Sequence, residues 1–291
     1  WSDDFHHALH ALLTGERKGY YQDFGSLQHL ARAFREGYVY TGQYSAYRRR
    51  RHGNSPRLAS AGQFVIFTQN HDQVGNRAGG ERLSMLVSFP ALKLAAAVVL
   101  LSPYVPLLFM GEEYGETAPF QYFTSHSEPA LADAVRKGRR EEFAAFAWAR
   151  EVPDPQEEAT FLRSRLNHEL RQQGDHRALW DFYRELLRLR RELPALADLD
   201  RENMAVVVRE KEQMLFVQRG SGADEVWMAF FFGAAEATVT LPVPAGRWRK
   251  LLDSTETRWQ GEGSSVPDVL ESAGEIQIPL PPLSCLLFQR G

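Results

Sequence analysis

Phe64-Val65-Ile66-Phe67-Thr68-Gln69-Asn70-His71-Asp72, followed by Phe89 to Leu101 and then Val105-Pro106-Leu107-Leu108-Phe109-Met110, decides the fold class. Phe64 to Phe67 reads as a short buried strand, and it ends in a polar cluster. Phe89 to Leu101 is rich in Ala, Leu and Val. Pro90 falls in what would be its first turn, where a missing N–H is tolerated, so a buried helix is expected. Val105 to Met110 reads as a second buried strand running into Gly111-Glu112-Glu113-Tyr114. Strand, helix and strand, with polar residues closing each strand, are what a parallel β/α unit produces. Functional groups collect at such carboxyl ends.

Upstream, Asp4 to Arg35 suits a loop and then helix, with Phe5, Leu9, Leu12 and Leu13 first. Leu27, Leu30, Ala31 and Phe34 follow at helical spacing behind Gly25-Ser26, where Ser26 can cap. Downstream, Arg177 to Leu193 carries one apolar face and is stopped by Pro194. Glu151 to Glu158 is acidic and bears prolines, which suggests a surface excursion. Beyond Asp200 the pattern changes to short β-rich segments: Met204–Val208, Met214–Gln218, Val226–Phe232, Ala237–Leu241, Trp248–Leu252 and Leu283–Phe288. The expected organisation is therefore an α/β part over residues 1–200 and a separate all-β domain over 201–291. A complete eight-stranded barrel needs ~250 residues, so periodicity alone points to an incomplete barrel or an open sheet.

Composition narrows the function. With 44% hydrophobic residues and 12% aromatics the chain can bury a core, which sets disorder aside. Its 34 Lys+Arg against 37 Asp+Glu leave a net charge of -3, so no strong field draws it to nucleic acid or an anionic membrane. The longest apolar run, Ala91 to Met110, is broken by Lys93, Pro103 and Pro106 and does not read as a membrane span. A single cysteine, Cys285, lies in an apolar run, which excludes an internal disulfide and fits a reducing cytoplasm. The chain opens at Trp1-Ser2-Asp3-Asp4 without an initiator methionine or a secretion leader, so a preceding segment is expected.

Asn70-His71-Asp72 is the strongest chemical cluster. A carboxylate beside an imidazole at a strand tip can hydrogen-bond sugar hydroxyls, and the carboxylate can favour positive charge at an anomeric carbon. The same triplet also suits a solvated turn capped by Asn and Asp. Adjacent His6 and His7 on an extended segment would point to opposite faces, and no Cys/His spacing completes a metal site, so no metal or cofactor is expected. Asp3 and Asp4 could cap a turn or line a cleft, and Glu112 and Glu113 could reach it from a second loop. Tyr20, Tyr21, Phe24, Tyr38, Tyr40, Tyr44 and Tyr47 could stack on sugar rings or pack in a core. Arg48 to Arg51 reads as a solvated basic loop. No Walker loop, dinucleotide fingerprint, HExxH or nucleophile-elbow serine is present.

The run Phe67 to Arg77, with His71-Asp72-Gln73-Val74-Gly75-Asn76-Arg77 at its centre, resembles the region near the seventh barrel strand of the α-amylase superfamily, and its longer form is similar to malto-oligosyltrehalose trehalohydrolases. Val105 to Gly115 looks like the eighth strand and its loop, and Trp1 to His7 like the end of the sixth. Phe182 to Arg191 resembles the last barrel helix, and the β-rich tail the C-terminal sandwich. The resemblance implies that Asp72 is the third essential carboxylate and that His71 contacts the same sugar. It further implies substrate contacts from Asp3, Asp4, Phe5, His6, His7, Gln73, Val74, Gly75, Asn76, Arg77, Glu112 and Tyr114. The family's nucleophile and general acid follow the fourth and fifth strands and would precede Trp1, so the N-terminal remainder of the enzyme is an expected partner. The implied activity is hydrolysis of the α-1,4 bond next to the terminal trehalose of a maltooligosyltrehalose, with retention. Two alternatives stay open: a glycogen-branching or debranching enzyme, and a non-catalytic amylase-like module that binds α-glucan.

Overall fold

Ser2 starts the first helix of the computed structural model, which describes residues 1–144 and 152–291. Its hydroxyl accepts the Phe5 N–H, Asp3 and Asp4 sit in the first turn where carboxylates offset the helix dipole, and Gly15 closes α1 (Asp3–Thr14) in the left-handed conformation. The extended reading of this segment is corrected. On a helix His6 and His7 diverge by only about 100°, and both rings turn inward with centroids 5.4 Å apart.

Ser26 caps α2 (Leu27–Glu36) as expected, and Leu27, Leu30, Ala31 and Phe34 form its buried face. The Tyr- and Arg-rich stretch folds into an unforeseen antiparallel hairpin of β1 (Thr41–Ser45) and β2 (Arg50–Gly53). Asp23 holds its turn by accepting from the Ala46 N–H at 3.0 Å and the Tyr40 hydroxyl at 2.6 Å.

The β/α unit is present but short. β3 (Val65–Ile66), the one-turn helix α3 (His71–Gly75), α4 (Phe89–Leu100) and β4 (Val105–Pro106) follow in order, and β4 pairs parallel to β3. Ser2 N–H donates to Val65 O at 2.8 Å on the other edge of β3. The expected strand Val105–Met110 is cut to two residues. Pro106 has no N–H to give, and the backbone reaches β3 last through Leu107 N–H to Ile66 O at 2.8 Å.

α5 (Pro129–Ala144) and α6 (Glu158–Arg163) were not expected. Of the acidic excursion, Glu151 lies outside the described residues, and Asp154 is tied back to α5 by Arg136 at 2.8 Å. α7 (Gly174–Glu192) packs on α4, and Pro194 ends it by opening the short α8 (Pro194–Ala197).

Residues after 200 form β5 (Met204–Arg209), β6 (Met214–Arg219), β7 (Val226–Phe231), β8 (Ala237–Leu241), β9 (Gly246–Asp253), β10 (Val269–Ser272), β11 (Ile276–Leu280) and β12 (Ser284–Arg290). Six make one antiparallel sheet in the order β10-β9-β12-β7-β6-β5, and β8 pairs with β11. All six expected segments are strands. β10 and β11 were missed: β10 is a short edge strand, and the Ile276, Ile278 and Leu280 alternation of β11 was masked by Pro279, which is tolerated only at an edge. Every residue of β7 is buried. One face packs Trp227, Ala229 and Phe231 against Val239, Leu241 and Ile278, while Met228 and Phe230 join the core built on α2, α4 and α7. The apolar core is thus continuous across residue 200. Among the described residues no helix is long and apolar enough to cross a membrane.

Candidate active site

Below the tip of β3, Asn70 acts as the cap of α3: its Oδ1 accepts the N–H groups of Asp72 at 2.8 Å and Gln73 at 3.4 Å. Gln73 returns the contact by accepting Asn70 N–H at 3.2 Å, and its amide donates to Asp3 Oδ1 at 3.0 Å. Because Asn70 supplies the cap, Asp72 is released from that duty. The side chains of His71 and Asp72 are 56% and 63% exposed and stand 3.4 Å apart. Trp1 turns its ring edge-on to His71 at 5.8 Å and to Phe67 at 6.0 Å.

Next to this pair lies a cleft of about 490 Å³ whose lining includes Trp1, Asp3, Asp4 and His7 on one side and Tyr38, Arg48 and His52 on the other. Asp3 is held above the usual carboxylate range by burial, with the nearby Asp72 charge adding to it against the Gln73 hydrogen bond. Asp4 is raised by burial although it accepts from Val39 and Tyr40 N–H at 2.9 and 2.8 Å. Burial, then His10 and Arg48, bring His7 down to about 3, so it stays neutral. Its Nδ1 has no partner among the described residues.

Of the other residues expected at the substrate, Phe5, His6, Val74, Gly75, Glu112 and Tyr114 are interior, and those expectations are corrected, whereas Asn76 is exposed and Arg77 half-buried. Phe5 is fully buried and packs on Phe34 at 5.6 Å between ring centres. His6 bridges Thr68 O at 2.6 Å and the Tyr21 hydroxyl at 2.8 Å, sealed from solvent. Val74 and Gly75 form the buried side of α3. Tyr114 is buried and donates to Glu116 at 3.0 Å. Arg77 makes a two-pronged pair with Glu16 at 2.8 and 3.0 Å, and Asn76 accepts from Arg139 at 3.2 Å. Glu112 lies under the strand tips, where it accepts from the Thr68 hydroxyl at 2.8 Å. Burial lifts it to about 8 despite that bond, so at neutral pH it carries a proton and no charge.

Sequence reasoning missed the scaffold beneath the pair. Glu16 joins His10 at 2.9 Å to Arg77, and burial that would raise it is overcome by these two partners, which lower it to about 2. Nothing in Thr14-Gly15-Glu16-Arg17 signals this, since its partner is 61 positions away. The aromatic stretch divides: Tyr21, Phe24 and Tyr40 are core, Tyr38 faces the cleft, and Tyr44 and Tyr47 are exposed.

No family model matches the chain. It is 40% identical to malto-oligosyltrehalose trehalohydrolase of Rhizobium sp. over 99% of its own length and 46% of that protein. It is 50% identical to the same-named protein of Brevibacterium helvolum over 68% of its length and 34% of the relative. A crystal structure of a Salmonella typhimurium protein assigned as an α-amylase superposes with a TM-score of 0.81 at 36% identity, covering all of this chain and 46% of the other. The chain therefore spans less than half the length of these relatives. The likeness to the Rhizobium and Salmonella proteins runs through both the strand-tip site and the β-rich region, and the chain belongs with the malto-oligosyltrehalose trehalohydrolases in the α-amylase superfamily, matching their C-terminal portion.

Proposed function

We propose that this chain is the C-terminal portion of a retaining glycosidase that hydrolyses the α-1,4-glucosidic bond next to the terminal trehalose of a maltooligosyltrehalose and releases trehalose. The observation that carries the reading is the solvent-facing His71–Asp72 pair, held by the Asn70 cap at a parallel strand tip, in a chain related to proteins of that name. Residues 1–200 supply strands six to eight of a (β/α)8 barrel, and 201–291 a C-terminal sandwich. Displacement with retention needs two carboxylates about 5 to 5.5 Å apart. Those two, the nucleophile and the general acid, come from the N-terminal remainder of the polypeptide, and catalysis takes place in the cytoplasm.

Asp72 contributes the third carboxylate. Its oxygens accept hydrogen bonds from hydroxyls of the sugar whose bond breaks, and these contacts strengthen as the ring flattens and positive charge grows at the anomeric carbon. His71 donates to a hydroxyl of the same sugar, and Asp3, Asp4 and His7 bound the path along which the rest of the chain lies. Gln73, Asn76 and Arg77 keep α3 in place. The test is trehalose release from a purified maltooligosyltrehalose by the full-length protein, compared with its action on a branched glucan. Release of trehalose supports the reading. Transfer or cleavage at α-1,6 branches with no trehalose would replace it with the branching or debranching alternative, and tight glucan binding without turnover would replace it with the binding module.

A further inference from the structure

α3 carries the two groups assigned to the sugar, His71 and Asp72, yet it is only one turn long. A helix that short does not hold its own shape or direction in water. Its backbone closes through Val74 N–H to Asn70 O at 3.1 Å and Asn76 N–H to Asp72 O at 2.9 Å. Side chains that reach α1 supply the rest. At the start of the turn, the Gln73 amide donates to Asp3 Oδ1 at 3.0 Å. Just past its end, Arg77 lays a fork on Glu16, with Nη1 to Oε2 at 3.0 Å and Nη2 to Oε1 at 2.8 Å.

The fork is itself held from both sides. Glu16 follows the glycine that closes α1, and its Oε2 also meets His10 Nε2 of that helix at 2.9 Å. On the far side of the guanidinium, Glu81 stands 3.5 Å from Arg77 Nε. The His10 side chain is 5% exposed, Arg77 13%, Glu81 17% and Glu16 32%. Further polypeptide packed on this face can only lower those values, so the network is interior whatever covers it. In such a place a planar guanidinium on a carboxylate fixes an orientation as well as a distance, which a lysine in its stead would not.

We propose that Arg77 and Glu16 are positioning residues for Asp72: their fork locks the end of α3 onto α1, so turnover depends on a pair that does not touch the sugar. The proposal rests on the reading of Asp72 as a carboxylate that acts on an α-glucan. With Gln73 holding one end of the turn and Arg77 the other, α3 can neither roll nor slide along α1. The same two ties fix Asp72 relative to Asp3, Asp4 and His7, which α1 presents to the cleft. The tolerance is narrow, because misplacing a catalytic group by about 1 Å can cost on the order of 10²-fold in rate.

The experiment measures kcat, KM and Tm of the full-length protein on a maltooligosyltrehalose for Glu16→Gln and Arg77→Lys, each alone and each combined with Asp72→Asn. Glu16→Gln keeps the shape of the side chain and one acceptor oxygen, and Glu81 still faces the guanidinium. Arg77→Lys keeps the charge and removes the fork. Either change alone should lower kcat about 10-fold and leave KM within about 2-fold, since the contacts that misplacement weakens are those made in the transition state. In the Asp72→Asn background the same changes should cost less than about 2-fold, because the group they position has already lost its charge. Losses of equal size in both backgrounds, or a lowered Tm with kcat retained, overturn the positioning role and leave a structural ion pair. Should Arg77→Lys fail to fold, the Glu16→Gln comparison decides alone. If Asp72→Asn by itself keeps most of its turnover, the reading of Asp72 falls first and the proposal falls with it.

Discussion

β3 and β4 pair over two residues, whereas β12 pairs with β7 over six and with β9 over five. Around the first pair, shape is fixed by side chains: Thr68 on Glu112, His6 on Thr68 O, Leu83 N–H on the Gln69 carbonyl at 2.9 Å, and the Asn70 cap. Around the second, the ladder and an apolar filling of Trp227, Phe288 and Leu287 suffice. The buried Thr68, Gln69, His6 and Glu112 under the strand tips each find a partner there, and the result is a platform whose outermost groups, His71 and Asp72, face solvent. The two regions should therefore respond to different perturbations.

The largest difference is expected from Asp72→Asn in the full-length protein. Losing a charge that acts mainly in the transition state should lower kcat about 10³-fold or more, roughly 4 kcal/mol, with little change in KM or Tm. A variant that keeps most of its turnover would refute the role assigned to Asp72. The mirror experiment is Leu287→Ala, which empties a fully buried position in the sheet. It should lower unfolding free energy by about 2 to 5 kcal/mol in urea titration while the affinity for glucan stays put. If ligand affinity falls along with stability, the strand tips depend on the sheet for their shape and the two regions are not independent.

Glu112 offers a sharper separation, since it titrates without being exposed. Its folded-state value of about 8 lies above that of an unfolded glutamate, so the folded chain holds a proton that the unfolded chain has released between pH 4.5 and 8. Stability contributed by this group is full below about 4.5 and is lost as pH rises toward 8, at ~1.4 kcal/mol for each pH step of one between those two values. Glu112→Gln should flatten Tm against pH across that window and leave the protein more stable than the parent at pH 9. An unchanged profile would mean that Glu112 is ionised in the fold.

These contrasts also explain what the sequence could reveal. A strand buried on both faces, such as Val226–Phe231, prints its apolar run directly, and helices with one buried face, such as α2 and α7, print their period. The edge strands β10 and β11 and the hairpin β1–β2 carry no such run, because solvent covers one side or both. At the candidate site, the place of Asn70-His71-Asp72 just after an apolar strand was legible. Which of its neighbours touch a ligand was not. Phe5, His6, Glu112 and Tyr114 stand in the same motifs as Asp3, Asp4 and His71, and only the fold shows which of them line the cleft or face solvent. Glu16 and Arg77 meet through folding over a long sequence separation, and so do Tyr183 and Glu112, whose hydroxyl and carboxyl lie 3.5 Å apart, which a linear pattern does not encode.

The smallest expected effect tests whether the polar interior belongs to one region alone. All nine histidines precede residue 200. His6, His7 and His10 are all held below their ordinary values, first of all by burial, with His7 at about 3. A group whose folded value is depressed contributes stability that is present above its unfolded value near 6.5 and lost as pH falls toward the folded one, because the unfolded chain takes up the proton first. His7 alone should then remove about 1.4 kcal/mol for each pH step of one between 6.5 and its folded value of about 3. Glu16 adds to the slope only below 4.5, since its own value is depressed to about 2. Between pH 6.5 and 4.5 the loss therefore reports the histidines, set against the opposite trend from Glu112. In Glu112→Gln, hydrogen exchange at pH 5.5 should speed up in α1 and around Tyr21 before it does in β7 and β12. Simultaneous loosening of both would show that the continuous core transmits the strain and that the molecule opens as one unit.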